Sequence, residues 1–285
     1  MKTVAIIAKP HAENVVNLLE EIVKLLDESN IEVLYDKRAA SILNLSNHSS
    51  EEDIREGSDL VIVLGGDGTL ISAVRIVGDK EVPIMGINMG RLGFLTEIRA
   101  GEAVNMLKNV IKGDYCAENR MKLHCDLFEN KQSKFATDVL NDIVINKGAL
   151  ARMIDVELFI DDHFVNSLRA DGVIFSTPTG STAYNLAAGG PIIYPTLNSI
   201  IITPICPHSL THRPIVVSRR SKIVVVMKNS NEQIYLTCDG QIGQKLKNND
   251  IKLNITQSSH NVKLITPKNR SYYSLLREKL GWGIK

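Results

Sequence analysis

The sequence LVIVLGGDGTLISAV places a carboxylate inside a glycine-rich turn. An apolar run leads into Gly65, Gly66, Asp67 and Gly68, and a helical pattern follows. The glycines can take positive φ and can bring backbone N–H groups close to a phosphate, and the start of the helix adds its positive dipole end. A phosphate would repel the Asp67 carboxylate. Its presence in this turn is therefore explained only if a metal ion offsets the charge or if the carboxylate removes a proton from a substrate. The chemistry indicated is phosphate binding with acid–base assistance.

The turn matches neither the Walker A pattern nor the dinucleotide fingerprint of dehydrogenases. The structural alternative is that Asp67 or Thr69 caps the helix of a tight strand–helix turn. Three cations near such loops are candidates for stabilising a transferring phosphoryl group: Lys9, Arg75 and Arg91.

A second polar pair interrupts the strand-like run LNDIVIN. Asn141 and Asp142 stand side by side where a strand core rarely places two polar side chains without a partner. An amide and a carboxylate there could hold the vicinal hydroxyls of a ribose. The alternative is a β-bulge or the turn at the start of a strand.

The third segment, STPTGSTAYNLAAGGP, is dense in hydroxyls and glycines. We expect a turn at Thr177 to Gly180, a cap from Ser181 or Thr182, and a helix beginning near Ala183 that is slim enough for a planar ring to lie against it. Tyr184 offers a stacking face. Ordering so many small and polar residues costs conformational entropy, which favours a functional loop over a purely structural one.

These segments require two kinds of framework. Residues 1–115 alternate β-rich runs with helical spacing, which predicts an α/β domain with a parallel sheet. Residues 116–267 contain closely spaced strands and predict a β-rich domain, in which DVELFI and HFVNSL form a hairpin around Asp161-Asp162. The tail, about 268–285, carries leucines at helical spacing and is predicted to pack back on the first domain. The predicted strands of the second domain read HCDLFE, VLNDIVIN, IDVELFI, HFVNSL, DGVIFST, IIITPI, PIVVS, KIVVVM, QIYLTC, IKLNI and VKLITP.

Composition excludes several classes of protein. With 33 Lys+Arg, 32 Asp+Glu and 5% aromatic residues, the chain has no basic stripe of the kind that binds nucleic acid. No apolar run approaches the ~18 residues of a membrane span, and no signal peptide is recognisable, so a cytoplasmic protein is predicted. The four cysteines lie far apart and predict neither a disulfide framework nor a zinc site, and no metal site made of protein ligands is predicted.

In this order and at these separations, GGDGT, the Asn-Asp pair and STPTGSTAYNLAAGGP resemble the NAD kinases over essentially the whole chain. The resemblance implies an α/β N-terminal domain, an all-β C-terminal domain and an active site in the cleft between them. It implies transfer of the γ-phosphoryl of ATP, with Mg²⁺ or another divalent metal, to the 2′-hydroxyl of the adenosine ribose of NAD. It also implies a homo-oligomer, a dimer or tetramer.

The resemblance assigns roles to individual residues. Asp67 would be the catalytic base, in a loop with Gly65, Gly66 and Gly68. The residues implied to contact NAD are Asn141, Asp142, Arg152, Arg169, Asp171, Thr182, Ala183, Tyr184, Asn185, Ala187 and Gln241. Two positions depart from the family pattern: Ser72 stands where many members carry an arginine, and Asp142 replaces a glutamate.

Two other functions share some of these features. A lipid or sugar kinase would keep GGDGT, but it has no reason to contain the STPTGSTAYN segment, and the chain shows no basic or amphipathic membrane patch. A non-catalytic dinucleotide-binding sensor would be expected to have lost the base, whereas Asp67 is present.

Overall fold

The computed structural model describes residues 1–9, 15–148, 152–227, 233–246, 250–268 and 270–283. The helices are α1 Val15–Glu28, α2 Lys37–Ile42, α3 Glu51–Gly57, α4 Asp67–Val77, α5 Ala103–Ile111, α6 Tyr184–Ala187 and α7 Tyr272–Leu280. The strands are β1 Thr3–Ala8, β2 Glu32–Tyr35, β3 Leu60–Gly65, β4 Pro83–Asn88, β5 Ile98–Arg99, β6 Cys116–Glu129, β7 Gln132–Val139, β8 Asp142–Lys147, β9 Ile154–Ile160, β10 His163–Ala170, β11 Gly172–Ser176, β12 Ser199–Ile205, β13 Ile215–Ser218, β14 Ile223–Met227, β15 Ile234–Cys238, β16 Ile242–Leu246 and β17 Ile251–Thr266. Short 3₁₀ turns occupy Ala100–Glu102 and Thr179–Thr182.

The chain forms two compact units, the first comprising Met1–Asn119 and Val262–Lys285, the second Arg120–Asn261. In unit 1, the strands β2, β1, β3 and β4 lie in that order and are all parallel. The end of β17 and the short β5 both pair parallel to β4. Because strand runs such as Leu60–Gly65 are buried along their whole length, they read as continuous apolar sequence rather than as alternation. The predicted parallel α/β architecture of the N-terminal part is confirmed.

Helix α7 belongs to unit 1, where Leu275 and Leu276 are buried. Ser271 caps the helix by accepting a hydrogen bond from the Ser274 N–H, and Gly281 ends it in the left-handed conformation. The leucine spacing seen in the sequence therefore marks the buried face of this helix.

Unit 2 is built from antiparallel strands, as predicted. A six-stranded sheet has the order β13, β12, β11, β8, β15 and β16. A second set of pairings runs β10, β9, β14 and β17, with β6 pairing to both β7 and β17. The predicted hairpin of β9 and β10 is confirmed, and Asp161 and Asp162 both take the positive φ that a tight two-residue turn requires.

Two strand predictions are wrong. The run VLNDIVIN is interrupted, since β7 ends at Val139 and β8 begins at Asp142. The runs IKLNI and VKLITP are parts of one 16-residue strand, β17, because the polar residues between them continue the extended backbone. The first break matters for function, because it places the Asn-Asp pair at the start of a strand.

No helix in the described part of the chain is long and apolar enough to cross a membrane.

Candidate active site

The glycine-rich turn of unit 1 joins β3 to α4, as its sequence predicts. None of Gly65, Gly66 and Gly68 uses the positive φ that is open to glycine, and Gly66 has φ −110. Glycine serves here by lacking a side chain. A Cβ on Gly65 would lie 2.5 Å from Thr69 Oγ1, whereas a Cβ on Gly66 or Gly68 would point into open space. The outer rim of the turn therefore leaves room for a ligand to approach the backbone.

Asp67 begins α4, but its carboxylate does not cap that helix, whose N-cap is Gly66. The side chain instead reaches residues 27 to 29 positions later in the chain. Oδ2 accepts a hydrogen bond from the N–H of Phe94 at 2.8 Å. Oδ1 accepts three, from the N–H of Leu95 at 3.1 Å and from the N–H and the hydroxyl of Thr96, each at 3.0 Å. The orientation of the carboxylate is thus set by three successive peptide groups.

The two oxygens differ in what they can still accept. A carboxylate oxygen offers about two lone pairs. Oδ1 of Asp67 already receives three donors, whereas Oδ2 receives one. Oδ2 is therefore the atom able to accept a further proton donor.

Gly93 and Asn88 complete the support of Asp67. A Cβ on Gly93 would lie 1.9 Å from Asp67 Oδ1, so only glycine lets the carboxylate dock there. The buried Asn88 amide donates to Thr96 Oγ1 at 2.9 Å and to the Arg91 carbonyl at 2.8 Å. Strand β4 ends at Asn88, so the sheet positions the loop that holds the catalytic candidate. Sequence reasoning did not find these residues.

In unit 2, a cavity of about 350 Å³ lies over β8 and β15, and we call it the β8 pocket. Side chains alternate along a strand. Asp142, Val144 and Asn146 of β8 face the pocket together with Thr237 of β15, whereas Ile143 and Ile145 lie in the core. The pocket is further lined by Asn141, Ala183, Tyr184, Asp239 and Gly240.

Asp239 organises the start of β8. Its Oδ2 accepts the N–H of Leu140 at 2.8 Å, and its Oδ1 accepts those of Asn141 at 2.7 Å and Asp142 at 3.1 Å. Burial raises the pKa of Asp239, while these three hydrogen bonds and the charge of Lys122 act to lower it. Asp239 and Gly240 both have positive φ in the turn between β15 and β16. This Asp-Gly turn was a recognisable hairpin signal that sequence reasoning did not use.

Asp142 faces the same pocket and is only 5% exposed. Burial is the larger cause and the neighbouring charge of Asp239 the smaller one, and together they raise the pKa of Asp142 to about 7. Two buried carboxylates so close together do not both ionise easily. Because three N–H groups support the charge on Asp239, we assign the proton of the pair to Asp142.

Two amide oxygens of the β8 pocket are buried and accept no hydrogen bond within the described structure, namely Oδ1 of Asn141 and Oδ1 of Asn146. Buried polar atoms are normally satisfied, so unsatisfied ones in a cavity favour a polar ligand as their partner. A ribose would meet this need, because its hydroxyls can donate hydrogen bonds to both amide oxygens.

The third segment packs against the second. Thr177 donates its hydroxyl to the Leu140 carbonyl at 2.6 Å and its N–H to the Asn141 carbonyl at 2.9 Å. A Cβ on Gly180 would lie 2.2 Å from that Asn141 oxygen. The loop and the Asn-Asp pair, about 35 residues apart in sequence, thus form one structure.

The predicted helix cap in this loop is wrong. Helix α6 follows Ala183 with no side-chain cap, because the Ser181 hydroxyl instead accepts the N–H of Ile193 at 3.0 Å. Thr182 is half-buried, with its hydroxyl 3.4 Å from the Thr179 carbonyl. Asn185 is fully buried and donates to the carbonyls of Ser181 and Pro191 while accepting from Thr203.

The amide of Asn185 is therefore committed to holding the loop. Tyr184 and Ala187 are exposed. Of the wall residues implied by the resemblance, Ala183 and Tyr184 line the β8 pocket.

The remaining implied contacts lie outside the lining of the β8 pocket. Arg152 and Gln241 are exposed. Arg169 is exposed on β10, with Nε 4.0 Å from Asp155 Oδ1, and Asp171 receives Lys147 Nζ at 3.1 Å. Among the described residues, no three His, Cys, Asp or Glu side chains come together as a metal site.

Comparison with known proteins agrees with this reading over nearly the whole chain. Residues 4–115 match the ATP-NAD kinase N-terminal domain, and residues 140–266 match the ATP-NAD kinase C-terminal domain. The chain is 46% identical over 283 residues to an NAD kinase of Geotalea daltonii and 44% identical over 283 residues to one of Geobacter metallireducens, with 99% of each chain covered in both cases.

Solved structures show the same fold. Yeast NADH kinase complexed with NADH superposes with a TM-score of 0.90 at 28% identity, covering 100% of this chain and 89% of that one. An NAD kinase from Archaeoglobus fulgidus in complex with ATP gives a TM-score of 0.78 at 26% identity, covering 99% and 100%.

The α/β unit with its glycine-rich turn and the β unit with its polar pocket define a phosphotransferase. The chain belongs to the ATP-NAD kinase family. Its function is NAD kinase activity, which excludes the lipid or sugar kinase alternative.

Proposed function

We propose that the chain transfers the γ-phosphoryl group of ATP to the 2′-hydroxyl of the adenosine ribose of NAD, with Asp67 as the base. The observation that carries this proposal is the arrangement of the Asp67 carboxylate, which three peptide N–H groups orient while Oδ2 keeps capacity for another donor. The relatives named above, which include complexes with NADH and with ATP, support the two substrates.

The proton and the phosphoryl group move in one balanced step. The 2′-hydroxyl donates to Asp67 Oδ2 within hydrogen-bond reach, ~2.6–3.2 Å. Its oxygen forms the new bond to the γ-phosphorus as the bond from that phosphorus to the β–γ bridging oxygen breaks, and ADP leaves. The carboxylate takes the proton late. Since phosphoryl transfer depends mostly on positioning and charge neutralisation, this limited role suffices.

The β8 pocket is proposed to hold NAD. Asn141 Oδ1 and Asn146 Oδ1 offer buried acceptors for ribose hydroxyls, and the exposed ring of Tyr184 offers a stacking face. Asp142 adds a carboxyl group that donates when protonated and accepts when ionised. The further contacts proposed from the family resemblance are Arg152, Arg169, Asp171, Thr182, Asn185, Ala187 and Gln241.

Divalent metal is proposed to enter as the complex of Mg²⁺ with ATP. Mg²⁺ keeps several waters and binds phosphates more readily than an all-protein cage. The metal therefore belongs to the substrate, and its part is to neutralise phosphate charge.

Cellular location and assembly are proposed on other grounds. ATP and NAD are nucleotides of the cell interior, which supports a cytoplasmic enzyme. The family resemblance supports a homo-oligomer, a dimer or tetramer, and light scattering on the purified chain measures its mass.

The test is an assay with purified protein, NAD, ATP and Mg²⁺, in which an NADP-specific dehydrogenase detects the product. We expect wild type to make NADP and Asp67→Asn to lose roughly 10²–10⁴-fold in turnover, the usual contribution of a general base. The dissociation constant for NAD, measured by calorimetry, should be nearly unchanged in this variant. Asp79→Asn, which alters an exposed carboxylate just beyond α4, is the matched control.

An unchanged turnover in Asp67→Asn would remove Asp67 from the mechanism. Absence of NADP from wild type with every donor and metal, together with retained NAD binding, would favour the non-catalytic sensor.

A further inference from the structure

The C-terminal end of unit 1 contacts the loop that holds Asp67. The three N–H groups that orient the Asp67 carboxylate belong to residues 94–96, which we call the donor segment. Residues 270–280, which we call the C-terminal arm, comprise Arg270, Ser271 and α7 and belong to the same unit. Contacts from this arm fall on the donor segment and on the residues that follow it.

The donor segment lies outside the regular sheet. Strand β4 ends at Asn88 and β5 begins at Ile98, so the donor segment is part of the loop between them. Strand β5 has two residues and pairs with β4 through Ile98 and Arg99. Because so short a strand makes few hydrogen bonds, the position of the loop depends on further contacts.

Arg270 makes the strongest of these contacts. Its guanidinium donates a hydrogen bond to the carbonyl of Glu97, the residue that directly follows the donor segment. The other terminal nitrogen of Arg270 lies 3.6 Å from Oε1 of Glu102. The Arg270 side chain is only 17% exposed, so water competes little for these contacts. Since a hydrogen bond from a charged donor is stronger than one between neutral groups, Arg270 fixes the position of the Glu97 carbonyl.

Two other contacts of the C-terminal arm are weaker. Oε1 of Glu278 lies 2.7 Å from Nη2 of Arg99, and Nζ of Lys279 lies 5.5 Å from the centre of the Phe94 ring. Glu278, Arg99 and Lys279 are all exposed. Exposed ion pairs and exposed cation–π contacts contribute little, because water and salt screen the charges. Arg270 is therefore the residue of the arm whose loss should affect the donor segment most.

The C-terminal arm is anchored independently of Arg270. Leu275 and Leu276 of α7 are buried, and Ser271 caps the helix. Arg270 also lines a cavity of about 340 Å³, whose lining includes the exposed Asn109 and is therefore open to solvent. Truncation of Arg270 would thus leave α7 docked and would enlarge a space that solutes can enter.

We propose that Arg270 is a positioning residue for the catalytic base. By holding the Glu97 carbonyl, Arg270 keeps the N–H groups of the donor segment directed at the Asp67 carboxylate. It acts through the backbone of the loop and contacts neither substrate. This inference rests on the proposed function, because Asp67 is the base of that reaction.

The first measurement is steady-state kinetics of NADP formation by Arg270→Ala. Small displacements of a catalytic group lower the rate, so kcat should fall roughly tenfold. The KM for NAD should stay within about twofold, because Arg270 does not line the β8 pocket. Arg270→Lys keeps the charge and one of the two contacts, and it should recover part of the loss.

Arg55→Ala is the matched control. Arg55 is half-buried in the same unit, and its Nε donates to the carbonyl of Ile76 at 2.9 Å. This variant therefore also removes a hydrogen bond from an arginine to a backbone carbonyl, but at the opposite end of α4 from Asp67. Its kcat should stay within about twofold of wild type.

Two further kinetic readouts separate positioning from a loss of stability. In an Asp67→Asn background, Arg270→Ala should cost less than about twofold in kcat, because the residue that it positions no longer acts as a base. Guanidinium ion at millimolar concentration should restore part of the kcat of Arg270→Ala, since the ion can enter the enlarged cavity. The same ion should not raise the kcat of wild type or of Arg55→Ala.

Hydrogen exchange of the amides of the donor segment gives a readout that requires no turnover. These N–H groups are protected while they donate to Asp67. Exchange at residues 94–96, followed by mass spectrometry, should be faster in Arg270→Ala than in wild type and unchanged in Arg55→Ala.

Equal kcat values for Arg270→Ala and Arg55→Ala would overturn the inference while leaving the proposed function intact. The same holds if Arg270→Ala costs as much in the Asp67→Asn background as in wild type, or if exchange at the donor segment is unchanged. A wild type that makes no NADP would instead count against the proposed function, and the exchange rates would still decide whether Arg270 holds the donor segment.

Discussion

Two carboxylates, one in each unit, are held by the same device but have different surroundings. Asp67 accepts the N–H groups of residues 94–96, and Asp239 accepts those of residues 140–142. Asp67 stands on a turn whose outer glycines face open space, whereas Asp239 lies beside a second buried carboxyl group, that of Asp142.

The comparison shows that three successive peptide donors fix the position of a carboxylate. The residues around the carboxylate then determine its role. At Asp67, Oδ2 accepts only one hydrogen bond within the described structure and lies on a turn whose outer glycines face open space, so it can accept a further donor from a ligand. At Asp239, the carboxylate fixes the start of β8 and so positions Asn141 and Asp142. We call Asp239 a positioning residue for this reason.

Among variants that leave Asp67 itself in place, the largest effect is expected from Gly93→Ala. Its Cβ would lie 1.9 Å from Asp67 Oδ1 and would displace the carboxylate from its donors. Because misplacement by about 1 Å can cost on the order of 10²-fold, we expect turnover to fall at least that far with little change in the KM for NAD. The assay for NADP formation measures both, and Gly90→Ala, whose Cβ meets nothing within 4 Å, is the control. Equal activity of the two variants would contradict the importance of the Asp67 support.

An intermediate effect is expected from Asp239→Asn. The substituted amide presents an NH₂ group to at least one of the three peptide donors, and an unsatisfied buried donor costs about 1–3 kcal/mol. Since the disturbed segment carries Asn141 and Asp142, the KM for NAD should rise roughly tenfold while kcat changes less. Asp67→Asn should show the opposite split. A fall in kcat alone for Asp239→Asn would break the distinction between the two carboxylates.

The smallest effect is expected on stability, from Asp142→Asn without ligand. The pKa of Asp142 is raised to about 7 in the folded chain, so the folded state holds a proton that the unfolded state releases near pH 4. The wild type should therefore lose stability as pH rises from about 4 to 7. The variant does not titrate, and its advantage over wild type should grow across this window.

Urea unfolding at pH 5 and pH 8 measures that advantage. A difference between variant and wild type that is the same at both pH values would contradict the raised pKa. Asp171→Asn, which alters a half-exposed carboxylate paired with Lys147, is the control.

Much of the fold could be predicted because the local signals were strong. Buried parallel strands read as apolar runs, and Asp161-Asp162 marked a hairpin that the register confirms. Helices α2 and α3 were missed, although Asp36 and the reciprocal pair Ser50 and Asp53 are capping signals. Both helices are short, so they contain too few apolar residues for a helical periodicity to be recognised in the sequence.

The site was only partly predictable for a different reason. The motifs themselves were visible, and Asn141, Asp142, Ala183 and Tyr184 do line one pocket. The implied wall residue Asn185 turns inward, because its amide satisfies two carbonyls and a hydroxyl of its own loop. The expected cleft stays a prediction.

The sequence by itself determined the chemistry available: a carboxylate in a glycine-rich turn, an amide and a carboxyl at a strand start, and a loop of small polar residues. The tertiary structure alone decided which donors hold each carboxylate, because the donors are peptide N–H groups that every residue but proline carries. Those of Asp67 lie 27 to 29 residues away and those of Asp239 lie 97 to 99 residues away. No side-chain pattern encodes such partners, so only the folded backbone brings them to the carboxylates.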